Sequence, residues 1–139
     1  MKRFLLDTDT CIHFFRGKHG IVDKIEEVRK DNCFVSEITI AELFFGAANS
    51  RKPKQHFAEV EAFEHSFTVI PIYDVLKAYG EEKVRLRKAG TPIAEFDLLI
   101  GITAKEHGLV LVTGNTKHFE KIKDISLEDW TRKQYNQFA

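Results

Sequence analysis

Apolar positions along the chain follow two periods that alternate from one end to the other. Short runs rich in β-branched and aromatic residues occur at Phe4–Leu6, Cys33–Val35, Phe67–Ile70 and Leu109–Thr113, with a weaker one at Ile125–Leu127, and these predict strands. Between them lie longer stretches with helical spacing: Cys11–Phe15, Ile21–Lys30, Ile38–Ala48, Phe57–His65, Val75–Lys88 and Pro92–His107. Strands alternating with helices make βαβ units, so the expected architecture is a three-layer α/β/α sandwich with a mostly parallel sheet. Thr91 and Pro92 are expected to cap and open the last long helix, and Gly108 to end it. The polar stretch Ser50-Arg51-Lys52-Pro53-Lys54 predicts an exposed turn between two helices.

Composition narrows the picture. At 139 residues, with 43% hydrophobic and 30% charged positions, the chain is expected to form a single folded domain over residues 1–139. Lys plus Arg equals Asp plus Glu at 21 each, so no global positive charge announces a nucleic-acid partner, and any such contact must come from local patches. The apolar run before Asp7 is too short for a signal peptide, and no run approaches the roughly 18 residues of a membrane span. A cytoplasmic protein is the resulting expectation. Cys11 and Cys33 are too few for a disulfide framework or a Cys-based zinc site and read as small buried hydrophobes.

Three acids stand in unusual settings. Asp7 directly follows Phe4-Leu5-Leu6, at the carboxyl end of the first strand, where open α/β sheets bind ligands. It would equally serve as a helix cap, as would Asp9. Glu42 sits in Ile38-Thr39-Ile40-Ala41-Glu42-Leu43-Phe44-Phe45 and shares a stripe with Ile38 and Phe45. Burying an unpaired carboxylate costs several kcal/mol, so such a group is protonated, paired with Lys or Arg, or bound to a metal. Asp97 shares its stripe with Ile100, Gly101 and Ala104, small residues among them that would leave space beside the carboxylate. A favourable helix dipole is the plainer account of Asp97, worth up to about 1 kcal/mol. Together the acids suggest a site for a hard divalent cation, Mg²⁺ or Mn²⁺, since the six His residues are scattered without zinc-hydrolase spacing.

At this point the chain resembles the PIN-domain nucleases, and specifically the VapC toxins of bacterial type II toxin–antitoxin pairs. The matching pieces are Leu6-Asp7-Thr8-Asp9, Thr39-Ile40-Ala41-Glu42-Leu43 with Gly46, Pro92-Ile93 before Phe96-Asp97, Leu109–Thr113 leading to Asn115-Thr116 and Phe119-Glu120, and Leu127-Glu128-Asp129-Trp130. Each is short, but their order and spacing cover almost the whole chain. The resemblance implies a parallel sheet of four or five strands between helices, and an acidic pocket that binds Mg²⁺ or Mn²⁺ and cleaves RNA to 5′-phosphate and 3′-hydroxyl ends. Asp7, Glu42 and Asp97 match the family's first three acids. At the fourth position relatives place an acid or Asn where this chain has Asn115, or an acid where it has His118, and Glu120 lies nearby.

The resemblance also implies a division of labour and a set of partners. Asp7 and Asp97 would hold the metal, Glu42 would complete its coordination or orient the nucleophile, and Thr113 and Asn115 would line the pocket. An anionic backbone needs cations near by, and candidates are Arg51, Lys52 and Lys54, then Lys83, Arg85, Arg87 and Lys88, then Lys117, Lys121 and Lys123. The expected partners are an RNA substrate, with initiator tRNA in the anticodon stem-loop as the finer expectation, and a cognate VapB-type antitoxin that neutralises the acids with a basic residue. Twelve Phe, with pairs at Phe14-Phe15 and Phe44-Phe45, suit a homodimer face and an antitoxin groove as well as a core. A catalytically degenerate PIN fold serving as an RNA-binding or assembly module is the alternative. A phosphoacceptor signalling domain fits less well, because Thr113 stands where it would place a Lys and two of the acids lie on helices.

Overall fold

Each strand alternates its side chains between two apolar layers, and that alternation sets the whole architecture. In a computed structural model describing residues 2–131, the first strand, β1 (Phe4–Leu6), sends Phe4 and Leu6 into one core and Leu5 into the other. The expected domain bounds of 1–139 include residues 1 and 132–139, which lie outside the described residues. The other strands are β2 (Cys33–Ser36), β3 (Thr68–Ile70), β4 (Val110–Val112) and β5 (Ser126–Glu128). All pair in parallel in the order β3-β2-β1-β4-β5. The chain thus builds outward from β1 in one direction and then returns to build in the other. The strand order reverses between β1 and β4, and there the carboxyl ends of a parallel sheet leave a crevice.

Helices α1 (Thr8–Arg16), α2 (Ile21–Val28), α3 (Glu37–Ala48) and α4 (Pro53–Ser66) surround the core that holds Phe4, Leu6, Val35 and Phe63. Helices α5 (Leu76–Lys88), α6 (Glu95–Glu106) and α7 (Thr116–Phe119) close the other face over Leu5, Ile100, Leu111 and Phe119. This is the expected three-layer sandwich with five strands. Cys11 and Cys33 are buried free thiols, and burial pushes the Cys33 thiol up to about 11 and that of Cys11 well above its ordinary value, so neither is a thiolate at neutral pH.

Several boundaries differ from expectation for local reasons. Helix α3 starts one residue early because Ser36 caps it, its Oγ accepting from Ile38 N at 3.0 Å. The turn after α3 is shorter than expected, since Pro53 occupies the first position of α4, where a missing N–H costs nothing. Thr91 and Pro92 do not open α6. Thr91 N donates back to Leu86 O, Ile93 inserts into the core, and α6 begins only at Glu95, after an extended Ala94. Asp97 consequently falls in the first turn. Gly108 ends α6 as expected, at φ +66°, with Gly108 N and Leu109 N donating to Lys105 O and Ala104 O. The short helix α7 has no counterpart among the expected elements, because one turn is too brief for a helical period to show.

Candidate active site

Asp7 is placed by the backbone before its side chain does anything. Its N–H donates to Val112 O at 2.9 Å across the β1–β4 boundary, and at φ −65°, ψ 160° it becomes the cap of α1. One carboxylate oxygen, Oδ1, accepts from Thr8 N at 2.8 Å, while Oδ2 accepts from Thr113 Oγ1 at 2.9 Å. Asp7 therefore caps the helix from the carboxyl end of β1, beside the crevice. Asp9 takes no part in capping and is exposed on α1. Only 5% of Asp7 is exposed, and burial pushes its carboxyl up to about 6. The hydrogen bonds from Thr113 and Thr8 oppose that rise, and the charges of Asp9 and Asp97 add to it.

Glu42 lies halfway along α3 and is half-buried. Ile38 on its stripe is buried, but Phe45 is 72% exposed, so the stripe runs from core to surface and Glu42 sits at its edge. Its Oε1 accepts from Thr8 Oγ1 at 2.6 Å, and Thr39 Oγ1 stands 3.0 Å from the same Thr8 oxygen. A hydroxyl has one proton to give, and Thr8 gives its proton to the carboxylate, so Thr39 must donate to Thr8. A relay of two hydroxyls thus fixes Glu42 relative to the residue that follows Asp7.

Asp97 is half-buried at the start of α6, whose amino end lies at the same edge of the sheet because the helix leads down into β4. Its Oδ2 stands 3.1 Å from His118 Nε2. The space expected beside it is not open: a side chain added at Gly101 would run into Ile122, with Phe119 close behind. Gly101 lets α7 and the chain beyond it pack tightly rather than leaving room for a ligand.

The loop after β4 ties the site together. Thr113 is fully buried; it donates to Asp7 and accepts from Asn115 N at 3.0 Å. Asn115 is exposed and joins the site through its backbone, and Glu120 is exposed at the end of α7 without a hydrogen bond to any of the three acids. Thr8, Thr39 and His118 were not assigned roles from sequence. Their signal was faint, because a hydroxyl beside an acid is common and becomes informative only when folding closes the distance.

No Lys or Arg among the described residues pairs with Asp7, Glu42 or Asp97; each acid takes a neutral donor or an imidazole instead. The ion pair that would have given Glu42 a structural explanation is absent from this set. As they stand, no three Asp, Glu, His or Cys side chains among the described residues cage an ion. Even so, a buried carboxyl with a raised proton affinity, facing a second acid, is a donor set that a divalent cation fits. Among the candidate cations, Lys83 and Arg85 are committed to Glu95 and Glu82, whereas Arg51, Lys52, Lys54, Lys117, Lys121 and Lys123 are exposed.

An apolar groove leads away from the acids. A cleft of about 450 Å³ is lined by Glu42, Gly46, Ile12, Arg16 and His56. It shares Phe15 and Glu59 with a second cleft of about 510 Å³ that continues over Phe14, Phe63 and Phe67. Those four phenylalanines pack ring to ring, with centroids 4.7–6.0 Å apart.

The chain is similar to known proteins over most of its length. The family model described as PIN domain matches residues 4–125. A Salmonella typhimurium protein named tRNA(fMet)-specific endonuclease VapC is 36% identical over 132 residues, covering 94% of this chain and 99% of its own length. One of the same name from Shigella flexneri is 32% identical over 133 residues, covering 94% of this chain and all of its own. Among solved structures, DNA-bound VapBC from Salmonella typhimurium superposes with a TM-score of 0.85 at 34% identity, covering 94% of this chain and 99% of that one.

Proposed function

The chain belongs to the PIN-domain family, and from that premise we propose that it is a VapC-type toxin, an endoribonuclease that hydrolyses RNA phosphodiesters with the help of Mg²⁺ or Mn²⁺. The observation that carries this reading is a trio of acids without a Lys or Arg partner among the described residues, one of them buried, with its carboxyl pushed up to about 6. Asp7 and Asp97 are the residues to hold the ion, with Glu42 completing its surroundings directly or through water. A divalent cation in that place supplies an activated water and offsets charge on the phosphate. The protein's own part is to aim the carboxylates: Thr113 turns Asp7, the Thr39–Thr8 relay turns Glu42, and Asp7 feels the charge of Asp97 across the β1–β4 crevice. Asn115 contributes from the pocket rim.

The substrate is RNA, and the two relatives named for tRNA(fMet) make initiator tRNA the finer proposal. Arg51, Lys52 and Lys54 beside the groove, and Lys117, Lys121 and Lys123 beside α7, are the exposed cations available to its backbone. The partner is a VapB-type antitoxin, and the apolar groove from Glu42 to Phe67 suits its anchoring segment. Exposed Phe45 on α3 suits a homodimer face. No helix among the described residues is long and apolar enough to cross a membrane, in keeping with action on RNA in the cytoplasm.

Incubating the purified chain with total tRNA, with and without Mg²⁺ or Mn²⁺, beside Asp7→Asn and Asp97→Asn variants, tests the reading. Metal-dependent cleavage lost in both variants is the expected result. Cleavage that survives EDTA or both substitutions overturns the mechanism. Mn²⁺ binding without cleavage would favour the degenerate RNA-binding module instead.

A further inference from the structure

We propose that His118 is a positioning residue for Asp97, and that it closes that side of the carboxylate to a second cation by presenting an N–H to Oδ2. The inference rests on the metal-site reading above and goes beyond it by assigning a role to an imidazole. The contact is specific in chemistry. A carboxylate oxygen only accepts, so the proton at the 3.1 Å Nε2–Oδ2 contact belongs to His118. With Oδ2 engaged, Oδ1 is the Asp97 oxygen that this contact leaves for a ligand.

The ring itself is held. It packs edge-on against Phe119 with centroids 5.2 Å apart, and Phe119 is 1% exposed in the core. Backbone bonds extend the hold: His118 N donates to Asn115 O, and Asn115 N donates to the same Thr113 hydroxyl that turns Asp7. One short segment, 113–118, therefore carries the side-chain donors to both Asp7 and Asp97 and sets the distance between them. Outer partners that orient a metal's carboxylates commonly change affinity by 10- to 100-fold when removed. An N–H donor cannot itself ligate a cation, so Nε2, the His118 nitrogen turned to Asp97, offers nothing to a second ion.

The test is Mn²⁺ titration followed by the electron paramagnetic resonance of the free aquo ion, which counts bound ions without using activity. The full chain is expected to bind one equivalent. H118A is expected to bind it at least tenfold more weakly, H118Q, which keeps an N–H donor, within about threefold of the parent, and H118E to gain a second, weaker equivalent. Thermal unfolding in EDTA checks each fold, and should H118A be unfolded, H118Q against H118E decides the question. Unchanged affinity in H118A, H118Q as weak as H118A, two equivalents in the parent, or one in H118E overturns the proposal. A parent that binds no Mn²⁺ overturns it together with the metal-site reading, whereas a parent that binds Mn²⁺ normally while H118A is unaffected overturns this inference alone.

Discussion

Asp7 and Glu82 are buried to nearly the same depth, 5% and 7% exposed, yet the fold treats them in opposite ways. Glu82, on α5, takes Arg85 Nε at 2.9 Å on one oxygen and Arg85 Nη2 with Lys123 N on the other. Arg85 in turn donates to Lys121 O, so the pair staples α5 to the segment before β5. The Arg85 guanidinium holds the Glu82 carboxyl below the usual carboxylate range despite burial. Asp7 receives only a backbone N–H and a hydroxyl, and burial holds its carboxyl up instead. Burial alone thus says little about an acid's role. A buried acid with its own cation is a strut, and one with only neutral donors keeps room for a cation from outside.

The largest effect should come from making the two acids neutral. Asp7→Asn is expected to lower RNA cleavage by about a thousandfold, roughly 4 kcal/mol of barrier. In EDTA at pH 7.5 the same variant should melt higher than the parent, because a buried, poorly paired charge has gone. Glu82→Gln should cleave normally. A Glu82 variant that loses cleavage as Asp7→Asn does would break the contrast.

Stability against pH tests the same comparison without RNA. Asp7 has a folded carboxyl near 6 against 3.8 when free, so between those values the folded state binds more protons than the unfolded one. Stability in EDTA should therefore fall as pH rises from about 4 to 6, by at most about 3 kcal/mol, and a divalent cation should restore it above that window. Glu82 has the opposite sign: its contribution is complete above its unfolded value of about 4.5 and is lost as pH falls through its lowered folded value. Urea titrations of the parent and Asp7→Asn across this range, with and without Mn²⁺, check it. A slope that is the same in both chains removes Asp7 as its source. Glu82→Ala should cost about 2 kcal/mol at neutral pH, a figure held down because Arg85 is 42% exposed and partly screened.

What the sequence made legible follows from which features are local. The strand and helix periods located all five strands, and Asp7 could be placed at a strand's end because Phe4-Leu5-Leu6 is a run that needs no partner to be read. Gly108 was legible for the same reason, since a left-handed stop is a property of one residue. The errors arose where distant parts of the chain meet. Gly101 looked like empty space until Ile122 filled it, Lys83 and Arg85 looked free until Glu95 and Glu82 took them, and Thr91 looked like a cap until Leu86 claimed its N–H. The site was legible as a list of acids but not as a geometry. The Thr39–Thr8–Glu42 relay spans 34 residues and the Asp97–His118 contact 21, and no periodicity marks either.

The smallest effect is the most specific to Asp7. Thr113 is buried at 1% exposure, so valine, with nearly the same shape, fits without a cavity and removes only the hydroxyl. Two hydrogen bonds go with it, one to Asp7 and one from Asn115 N, at a cost of about 1 kcal/mol in stability. The hydroxyl is also the larger of the two contacts that oppose the rise in the Asp7 carboxyl, so without it that carboxyl climbs above 6. At pH 7 more of the variant is protonated at Asp7, and a proton competes with a metal for the same oxygen. Thr113→Val should therefore cleave RNA about tenfold more slowly at pH 7 and recover as pH rises, while Thr113→Ser, which keeps the hydroxyl, tracks the parent. A rate–pH profile of the three chains reads this directly. A deficit in Thr113→Val that is constant with pH would mean that the hydroxyl aims Asp7 without tuning its charge.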